Sequence, residues 1–289
     1  MSSVAIGIFD GVHAGHQAII REAAQHGAVT VLTFDPHPTS VFAPERTPSA
    51  LVSLEDRIAL LKSYGASDVV VIHFTKEFAA MSPTQFIEEI LQKQLHATHI
   101  TVGSNFTFGH KAAGNVDFLK EHAGVPVSAV ALSENRGSAI SSSRIRALVV
   151  DGDVERANEL LTRNFYIKGP VVHGEKRGRE IGYPTANIGL AENATIPADG
   201  VYAGWLEVAG TRWQAAISIG TNPTFPGVRG RQVEAYALDQ EGLDLYDHEA
   251  KLEFGFRLRD TLKFDGLEPL LEQMAKDCAQ ARSLTSTAQ

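Results

Sequence analysis

Short apolar runs and helix-like segments alternate along the first half of the chain, from Val4 to about Leu161. The runs VAIGIF, VTVLTF, DVVVIHF, HITV and VPVSAVAL are rich in β-branched residues, and stretches such as LEDRIALLKSYG separate them. Strands that alternate with helices in this way form a parallel sheet with helices on both faces. The pattern therefore predicts a doubly wound α/β domain, which we place at residues 1–162.

One helix of this half has a clear start signal after Met81. Ser82 is a suitable N-cap, Pro83 fits the first helical position, and Gln85 completes a capping box. We expect a helix to begin at this point.

The second half has the two-residue period of β-strands. Residues 201–219 are typical of two strands around an Ala209-Gly210 turn, which indicates antiparallel sheet. In KLEFGFRLR, strict alternation places four apolar residues on one face: Leu252, Phe254, Phe256 and Leu258.

A helical spacing follows the last predicted strand. The apolar residues that recur at this spacing are Leu267, Leu270, Leu271, Met274 and Cys278. We expect a closing amphipathic helix that packs against the sheet. The helical DVERANELLTR gives way to the strand-like NFYIKGPVV near Arg163-Asn164, so the second domain is placed at residues 163–289.

Composition narrows the class of protein. The chain has 289 residues, of which 44% are hydrophobic and 21% charged, enough for two cored domains. Lys and Arg number 26 against 34 Asp and Glu, a net charge of −8, and no basic block suits nucleic acid. The single cysteine, Cys278, fits a reducing compartment. With neither a membrane span nor a signal peptide in the pattern, we expect a cytoplasmic protein.

The stretch FDGVHAGH, residues 9–16, directly follows the first predicted strand. In a doubly wound sheet this position lies at the ligand-binding edge, where a helix N-terminus attracts phosphate. Gly11 and Gly15 allow the backbone to turn, and His13 and His16 can donate hydrogen bonds to phosphate oxygens. Solvated histidines or a metal site are the alternatives that the spacing leaves open.

Neither a dinucleotide-binding fingerprint nor a P-loop is present. A strand followed by H-x-G-H resembles the nucleotidyltransferase superfamily. Three further segments, TFDPHP, VGSNFTFG and ISSSRIR, follow or adjoin predicted strands in the same order. Together they resemble the FAD synthetase module of the bifunctional prokaryotic riboflavin kinase/FAD synthetase family.

This resemblance implies roles for particular residues. Residues expected to hold the ATP phosphates are His13, His16, Ser142, Ser143 and Arg146. Asn105 is expected near the reacting phosphates or the flavin, although a number of relatives have Asp there. The lead-in before the first strand is also short compared with many relatives.

The stretch GPVVHGEKRGREIGYPTANI, residues 169–188, is the most specific in the chain. Its glycines permit a tight loop against a nucleotide, while Thr185 and Asn187 present oxygens suited to Mg²⁺. A glycine-rich hairpin is the alternative that the pattern leaves open. The run GYPTAN matches the riboflavin kinase signature of the same family, followed in the family's order by SIGTNPTF, VEAYALD and FRLRDTLKFDGLEPLLEQM.

By this resemblance, the second domain is a closed antiparallel β-barrel with a C-terminal helix. The residues expected to contact its nucleotide are Gly169, His173, Gly174, Gly178, Arg179 and Pro184. Glu234, on the predicted strand VEAYALD, shares a face with Tyr236 and Leu238 and is the candidate general base.

The resemblance implies an enzyme that phosphorylates riboflavin to FMN and adenylylates FMN to FAD, using ATP with Mg²⁺. Expected partners are ATP, riboflavin and FMN, with no nucleic acid or membrane and with a homo-oligomer left open. Two alternatives are another H-x-G-H nucleotidyltransferase, acting on pantetheine phosphate or glycerol phosphate, and a non-catalytic flavin-binding protein.

Overall fold

The computed structural model describes residues 2–173, 181–221, 231–240 and 242–287, which divide into two compact units, 1–142 and 143–289. The first unit contains a five-stranded parallel sheet in the order β3-β2-β1-β4-β7. Its strands are β1 Ser2–Ile6, β2 Ala28–Asp35, β3 Asp68–His73, β4 Ala97–Gly103, β5 Thr107–Phe108, β6 Gly114–Asn115, β7 Val127–Val130, β8 Glu134–Asn135 and β9 Ser138–Ala139. The short strands β5 with β6, and β8 with β9, form separate ribbons.

Two hydrophobic cores flank this sheet, which confirms the doubly wound prediction. Val4 and Ile6 of β1 pack into one core, and Ala5 between them packs into the other with Ile20. The helices are Ala14–Ala24, Pro38–Phe42, Leu54–Ser63, Lys76–Ala79, Pro83–Gln85 and Val116–His122, with a π-helix at Phe86–Gln94 and 3₁₀ turns at Pro44–Arg46 and His110–Ala112.

The predicted capping box is present at Ser82. Its hydroxyl accepts a hydrogen bond from the Gln85 backbone N–H at 3.2 Å, and the Gln85 side chain accepts from the Ser82 N–H at 2.9 Å. The helix therefore begins where the sequence predicts.

Strand order determines where a ligand can bind in this unit. The chain adds β2 and β3 on one side of β1 and β4 on the other, so the direction of winding reverses at β1. Such a reversal opens a crevice at the carboxyl ends of the central strands. The loop after β1 lies at that edge.

The second unit contains a closed antiparallel barrel in the order β10-β11-β14-β13-β12-β15. The strands are β10 Phe165–Val172, β11 Ala186–Ile188, β12 Gly200–Val208, β13 Thr211–Gly220, β14 Gln232–Ala237 and β15 Glu249–Arg259, and the helices are Ser142–Val150, Val154–Leu161 and Leu267–Ser286. Asn158 ties the second helix to the barrel, because its Nδ2 donates to the Phe254 carbonyl at 2.8 Å.

The predicted hairpin is confirmed at Ala209-Gly210, between the paired residues Val208 and Thr211. Ala209 and Gly210 have φ of 50° and 80°. Positive φ at both central residues is the geometry that joins twisted antiparallel strands most directly.

The predicted single apolar face of β15 is wrong. Phe254 lies with Phe165 and Tyr202 among buried residues, whereas Phe256 and Leu258 pack with the cluster that contains Cys278. The pairing with β12 shifts register between these two parts of the strand, around Gly255. One extra residue in a strand reverses which side chains face inward, which explains the change.

The closing helix Leu267–Ser286 is confirmed, but the face that it buries differs in part from the predicted apolar face. Cys278 and Ala281 are buried, but Leu267 is 50% exposed. The buried face also contains Asp277, whose carboxylate accepts hydrogen bonds from Nε and Nη2 of Arg259 at 3.0 and 2.7 Å. This ion pair lets a charged residue occupy the face that packs on the barrel.

Candidate active sites

The loop between β1 and the helix Ala14–Ala24 forms the first predicted site. His13 is the N-cap residue of that helix, and its Nδ1 atom accepts a hydrogen bond from the His16 backbone N–H at 3.4 Å. The His13 side chain is buried. The helix N-terminus presents N–H groups and partial positive charge at the ligand-binding edge of the sheet, as a phosphate site requires.

The rings of His13 and His16 stack, with centroids 3.6 Å apart and planes 17° apart. Burial lowers the pKa of His16 well below its ordinary value, and the neighbouring His13 lowers it further. The Nδ1 atom of His16 is buried and has no hydrogen-bond partner among the described residues. Since buried polar atoms are almost always paired, this nitrogen indicates a place where a ligand atom binds.

The metal alternative for this histidine pair gains no support from its surroundings. Within the described ranges, no group of three or more His, Cys, Asp or Glu is arranged to hold a metal ion.

The same loop contains two strained non-glycine residues. Phe9 and Val12 have φ of 56° and 42°, and Gly11 between them has φ of 79°. Such a conformation costs about 1–3 kcal/mol for a residue with a side chain and persists only where the surroundings impose it. Both side chains are fully buried, so packing holds the loop in place. Gly11 provides the turn that the sequence predicts.

Gly15 lies against the His13 ring. A Cβ atom at this position would be 3.2 Å from His13 Cε1, closer than an ordinary van der Waals contact. The absent side chain of Gly15 therefore leaves the space in which His13 packs.

The ISSSRIR segment reaches the same loop through Ser142, whose hydroxyl donates to the Asp10 carbonyl at 2.8 Å. The Asp10 carboxylate in turn accepts from the Leu51 N–H at 3.1 Å. Ser143 and Arg146 follow along the helix Ser142–Val150 and belong to the second compact unit, where Ser143 is exposed and Arg146 half-buried.

A cavity of about 790 Å³ extends from the end of β1. Two of the three segments that carry the family resemblance contribute to its wall, TFDPHP through Phe34 and Pro38, and VGSNFTFG through residues that include Asn105. Lys76, His110 and Lys111 add positively charged or titratable groups. Its aromatic residues are Phe34, Phe42, Phe74, Phe78, Phe86, Phe106 and Phe108.

Sequence reasoning missed Phe42, Phe74, Phe78 and Phe86 as members of this wall. A signal was present, because every phenylalanine between residues 34 and 108 lines the cavity. Their spacing along the chain follows no single period, since they come from several loops and helices.

In the second unit, Thr185 and Glu234 meet directly. The Thr185 hydroxyl donates a hydrogen bond to Glu234 Oε2 at 3.1 Å. Asn187 on β11 is the register partner of Glu234 on β14, and Ser218 on β13 pairs with Glu234 from the opposite side. The predicted base and the two predicted metal ligands therefore occupy one patch of the barrel.

Glu234 lies on the same half-buried face of β14 as Tyr236. Val233 and Ala235 are buried, whereas Glu234 and Tyr236 are half-buried. Tyr236 packs edge to face with Tyr183 of the GYPTAN run, at 5.2 Å between centroids. The site is thus bordered by two tyrosines that sequence reasoning did not select.

The other predicted nucleotide contacts are dispersed. Gly169 lies in β10, where a Cβ would be 1.8 Å from the Gly189 carbonyl oxygen, so its small size serves a close backbone approach. The His173 ring lies 4.1 Å from the Tyr246 ring between centroids, with the two planes tilted by 36°, and Pro184 is exposed. Three predicted residues lie outside the described ranges: Gly174, Gly178 and Arg179.

Comparison with known families assigns each half of the chain to a module. A family model described as FAD synthetase matches residues 1–144, and one described as riboflavin kinase matches residues 161–285. The chain belongs to the bifunctional riboflavin kinase/FMN adenylyltransferase family. FAD synthetase is the N-terminal module and riboflavin kinase the C-terminal module.

Relatives in this family span nearly the whole chain. The bifunctional riboflavin kinase/FMN adenylyltransferase of Listeria monocytogenes is 38% identical, covering 97% of this chain and 91% of the relative. The enzyme of Bacillus subtilis is also 38% identical with the same coverage, and that of Escherichia coli is 34% identical, covering 96% and 90%.

A crystal structure described as a macrolide-efflux protein from Streptococcus pneumoniae has the same fold as this member of the family. It is 32% identical, with a TM-score of 0.88, covering 97% of this chain and 94% of the other. No helix in the described parts of the chain is both long and apolar enough to cross a membrane.

Proposed function

We propose that Glu234 accepts the proton of the riboflavin 5′-hydroxyl while the γ-phosphate of ATP is transferred to its oxygen. The bond from that oxygen to the γ-phosphorus forms, and the bond from the γ-phosphorus to the ADP oxygen breaks. The contact that supports this role is the one from Thr185 Oγ1 to Glu234 Oε2, 3.1 Å. This contact supports the role because the half-buried carboxylate accepts a hydrogen bond from a hydroxyl, as it would from the substrate.

The residues around Glu234 fit a magnesium ion that accompanies ATP. A threonine hydroxyl and an amide oxygen are hard oxygen ligands, and Mg²⁺ prefers a few such ligands together with substrate phosphates. Thr185 and Asn187 are the residues that would hold the ion. When bound, it would neutralise charge on the transferring phosphate. The chain's own contribution is to place the acceptor hydroxyl between this patch and the nucleotide.

In the first module we propose that the FMN phosphate attacks the α-phosphorus of ATP. The bond from the FMN oxygen to the α-phosphorus forms, and the bond to pyrophosphate breaks. The nucleophile is already an anion, so positioning and charge stabilisation suffice. His13, His16 and the helix N-terminus at Ala14 support a triphosphate site, while Ser143 and Arg146 are assigned by the family motif.

The aromatic cavity supports binding of the flavin ring beside this triphosphate site. Its volume of about 790 Å³ and its aromatic wall suit a flat, largely apolar ring system. Asn105 on the wall provides an amide that can hydrogen-bond the ring edge or the FMN phosphate.

The test is to incubate the chain with riboflavin, ATP and Mg²⁺ and to separate the flavins by chromatography. Wild type should form FMN and FAD, H16A should stop at FMN, and E234A should leave riboflavin unchanged yet adenylylate added FMN. H26A and E207A, which alter a histidine and a strand glutamate outside both sites, are the matched controls. FAD formation by H16A at the wild-type rate would remove His16 from the first site.

Three further predictions from the sequence stay predictions: a functional boundary at residue 162, a homo-oligomer, and a cytoplasmic location. The family models leave residues 145–160 unassigned between the two modules.

A further inference from the structure

Arg57 is a buried cation that lies against the strained loop of the first site but belongs to a separate element. It sits on the helix Leu54–Ser63, which Ser53 caps through its side chain. Only 7% of Arg57 is exposed. No motif of the sequence includes it, and neither module assignment gives it a role.

The Arg57 guanidinium links the ends of two neighbouring parallel strands. Its Nη1 donates to the Ile8 carbonyl at 3.0 Å, and its Nη2 forms an ion pair with Asp35 Oδ1 at 3.3 Å. Ile8 directly precedes the strained Phe9, and Asp35 is the last residue of β2, within TFDPHP. One side chain therefore connects the loop that carries the histidines with the second motif of the site.

The Ile8 carbonyl is held from two directions. Besides Arg57, the Thr33 hydroxyl donates to the same oxygen at 2.9 Å. Thr33 is fully buried on β2, so this contact is shielded from water. Two donors on one carbonyl orient the peptide group that leads into the loop. This arrangement accounts for how the positive φ of Phe9 is maintained at the end of β1.

The burial and charge of Arg57 favour a side chain that stays in one position. Burial lowers the pKa of Arg57, while Asp10 and Asp35 oppose that change. A guanidinium nevertheless stays charged at neutral pH. Its Nε atom is buried without a hydrogen-bond partner among the described residues. A desolvated charge of this kind depends on its carboxylate and carbonyl contacts, so it resists displacement from them.

We propose that Arg57 is a positioning residue for FMN adenylylation, which fixes the Ile8 carbonyl and thereby holds His13 and His16 against the triphosphate. This role rests on the function proposed for the first module. Arg57 is not among the residues that line the aromatic cavity, so the proposed role is indirect. Its effect passes through the peptide of Ile8 to the Phe9–Val12 turn and then to the capped helix.

The experiment compares R57M and R57K with R21M, a matched change of an exposed arginine on the helix Ala14–Ala24. We measure kcat and KM for FAD formation from FMN and ATP, with riboflavin phosphorylation by the same chain as internal control. R57M should lower kcat about 10- to 100-fold, because small displacements of positioning groups have effects of this size. Its KM values should change far less.

R57K should recover part of the lost kcat, because lysine keeps the charge and a single donor nitrogen but has no planar fork with which to bridge Ile8 and Asp35. D35N should give a smaller loss, since the bond to Ile8 remains. Combined with R57M it should add little, because the two residues share one interaction. R21M and the kinase activity of every variant should match wild type.

Several results would overturn this role. A wild-type kcat in R57M, or equal losses in R57M and R57K that follow only the folded fraction measured by thermal unfolding, would reduce Arg57 to a structural residue. Should R57M not fold, a wild-type kcat in both R57K and D35N has the same meaning. Wild type that forms no FAD from FMN would instead refute the proposed function, and this role with it.

Discussion

The Thr185 hydroxyl donates a hydrogen bond to the Glu234 carboxylate at 3.1 Å, across 49 positions of the sequence. Thr185 precedes the short strand β11, and Glu234 lies on the neighbouring strand β14. The run that carries the kinase signature and the strand that carries the proposed base are thus one hydrogen-bonded unit.

Replacement of Thr185 tests this unit. T185V removes the hydroxyl at nearly constant volume, whereas T185S keeps it. A hydrogen bond to a charged group contributes about 1.5–3 kcal/mol, so T185V should lower riboflavin phosphorylation by roughly tenfold or more. T185S should stay within about threefold of wild type, because the donor remains. Steady-state kinetics on riboflavin check this, and equal activity of T185V and wild type would contradict it.

Gly15 allows a test in which stability and activity should move in opposite directions. Alanine is favoured over glycine in a helix by up to about 1 kcal/mol, and Gly15 lies in the first turn of the helix Ala14–Ala24. The new Cβ, however, would press on the His13 ring at 3.2 Å. We expect G15A to keep or raise the melting temperature while FAD formation falls about tenfold or more. Wild-type FAD formation by G15A would show that His13 tolerates displacement.

Phe42 is the cavity residue that can be changed at least cost to folding. It lines the aromatic cavity yet is 64% exposed. F42A should raise KM for FMN about fivefold, since an aromatic contact is worth about 1 kcal/mol. The melting temperature should change little. L132A, at an exposed leucine that is not among the cavity residues, is the control and should leave KM unchanged.

A second stacked histidine pair, away from the active-site loop, predicts a pH dependence. The rings of His26 and His99 lie 3.6 Å apart with planes 11° apart. Burial lowers the pKa of His99, His26 lowers it further, and Glu22 partly opposes the change. The His99 ring also hydrogen-bonds the Ser128 hydroxyl at 3.0 Å.

The sign of this effect follows from proton linkage. Between the lowered pKa in the folded state and the ordinary pKa of about 6.5, the unfolded chain binds more protons, so the free energy of unfolding falls as pH drops through this range. His16 contributes in the same direction. Thermal unfolding between about pH 5 and pH 8 should therefore show a slope that is smaller in H99Q. An equal slope in H99Q and wild type would contradict the prediction.

Local signals were sufficient for much of the fold. The capping box of Ser82 and Gln85, the turn at Ala209-Gly210 and the alternation of strands with helices all act within a few residues. The prediction was wrong where the pairing between strands determines which side chains face the core. At Gly255 the register shift against β12 sends Phe254 and Phe256 to different surroundings, and no period within β15 reveals it.

The candidate sites divide in the same way. The positions of His13 and His16 after β1 follow from a motif beside a strand, and the sequence selected them. The cavity wall and Arg57 come from separate helices and loops, so no spacing along the chain connects them. The sequence predicted that Gly169 contacts a nucleotide. In the structure, its lack of a side chain allows the close approach of the Gly189 backbone.

The sequence by itself determined that strands alternate with helices in the first half, that the second half has the two-residue period of β-strands, and which motifs identify the family. These features depend on neighbouring residues alone. Only the tertiary structure decided that Arg57 donates a hydrogen bond to the Ile8 carbonyl and that Thr185 donates one to Glu234. It also decided that the apolar side chains of β15 switch from one face of the strand to the other. Each of these depends on which distant backbone segments pair and pack. That choice is made by closing a whole sheet or barrel around its core, and no local stretch encodes it alone.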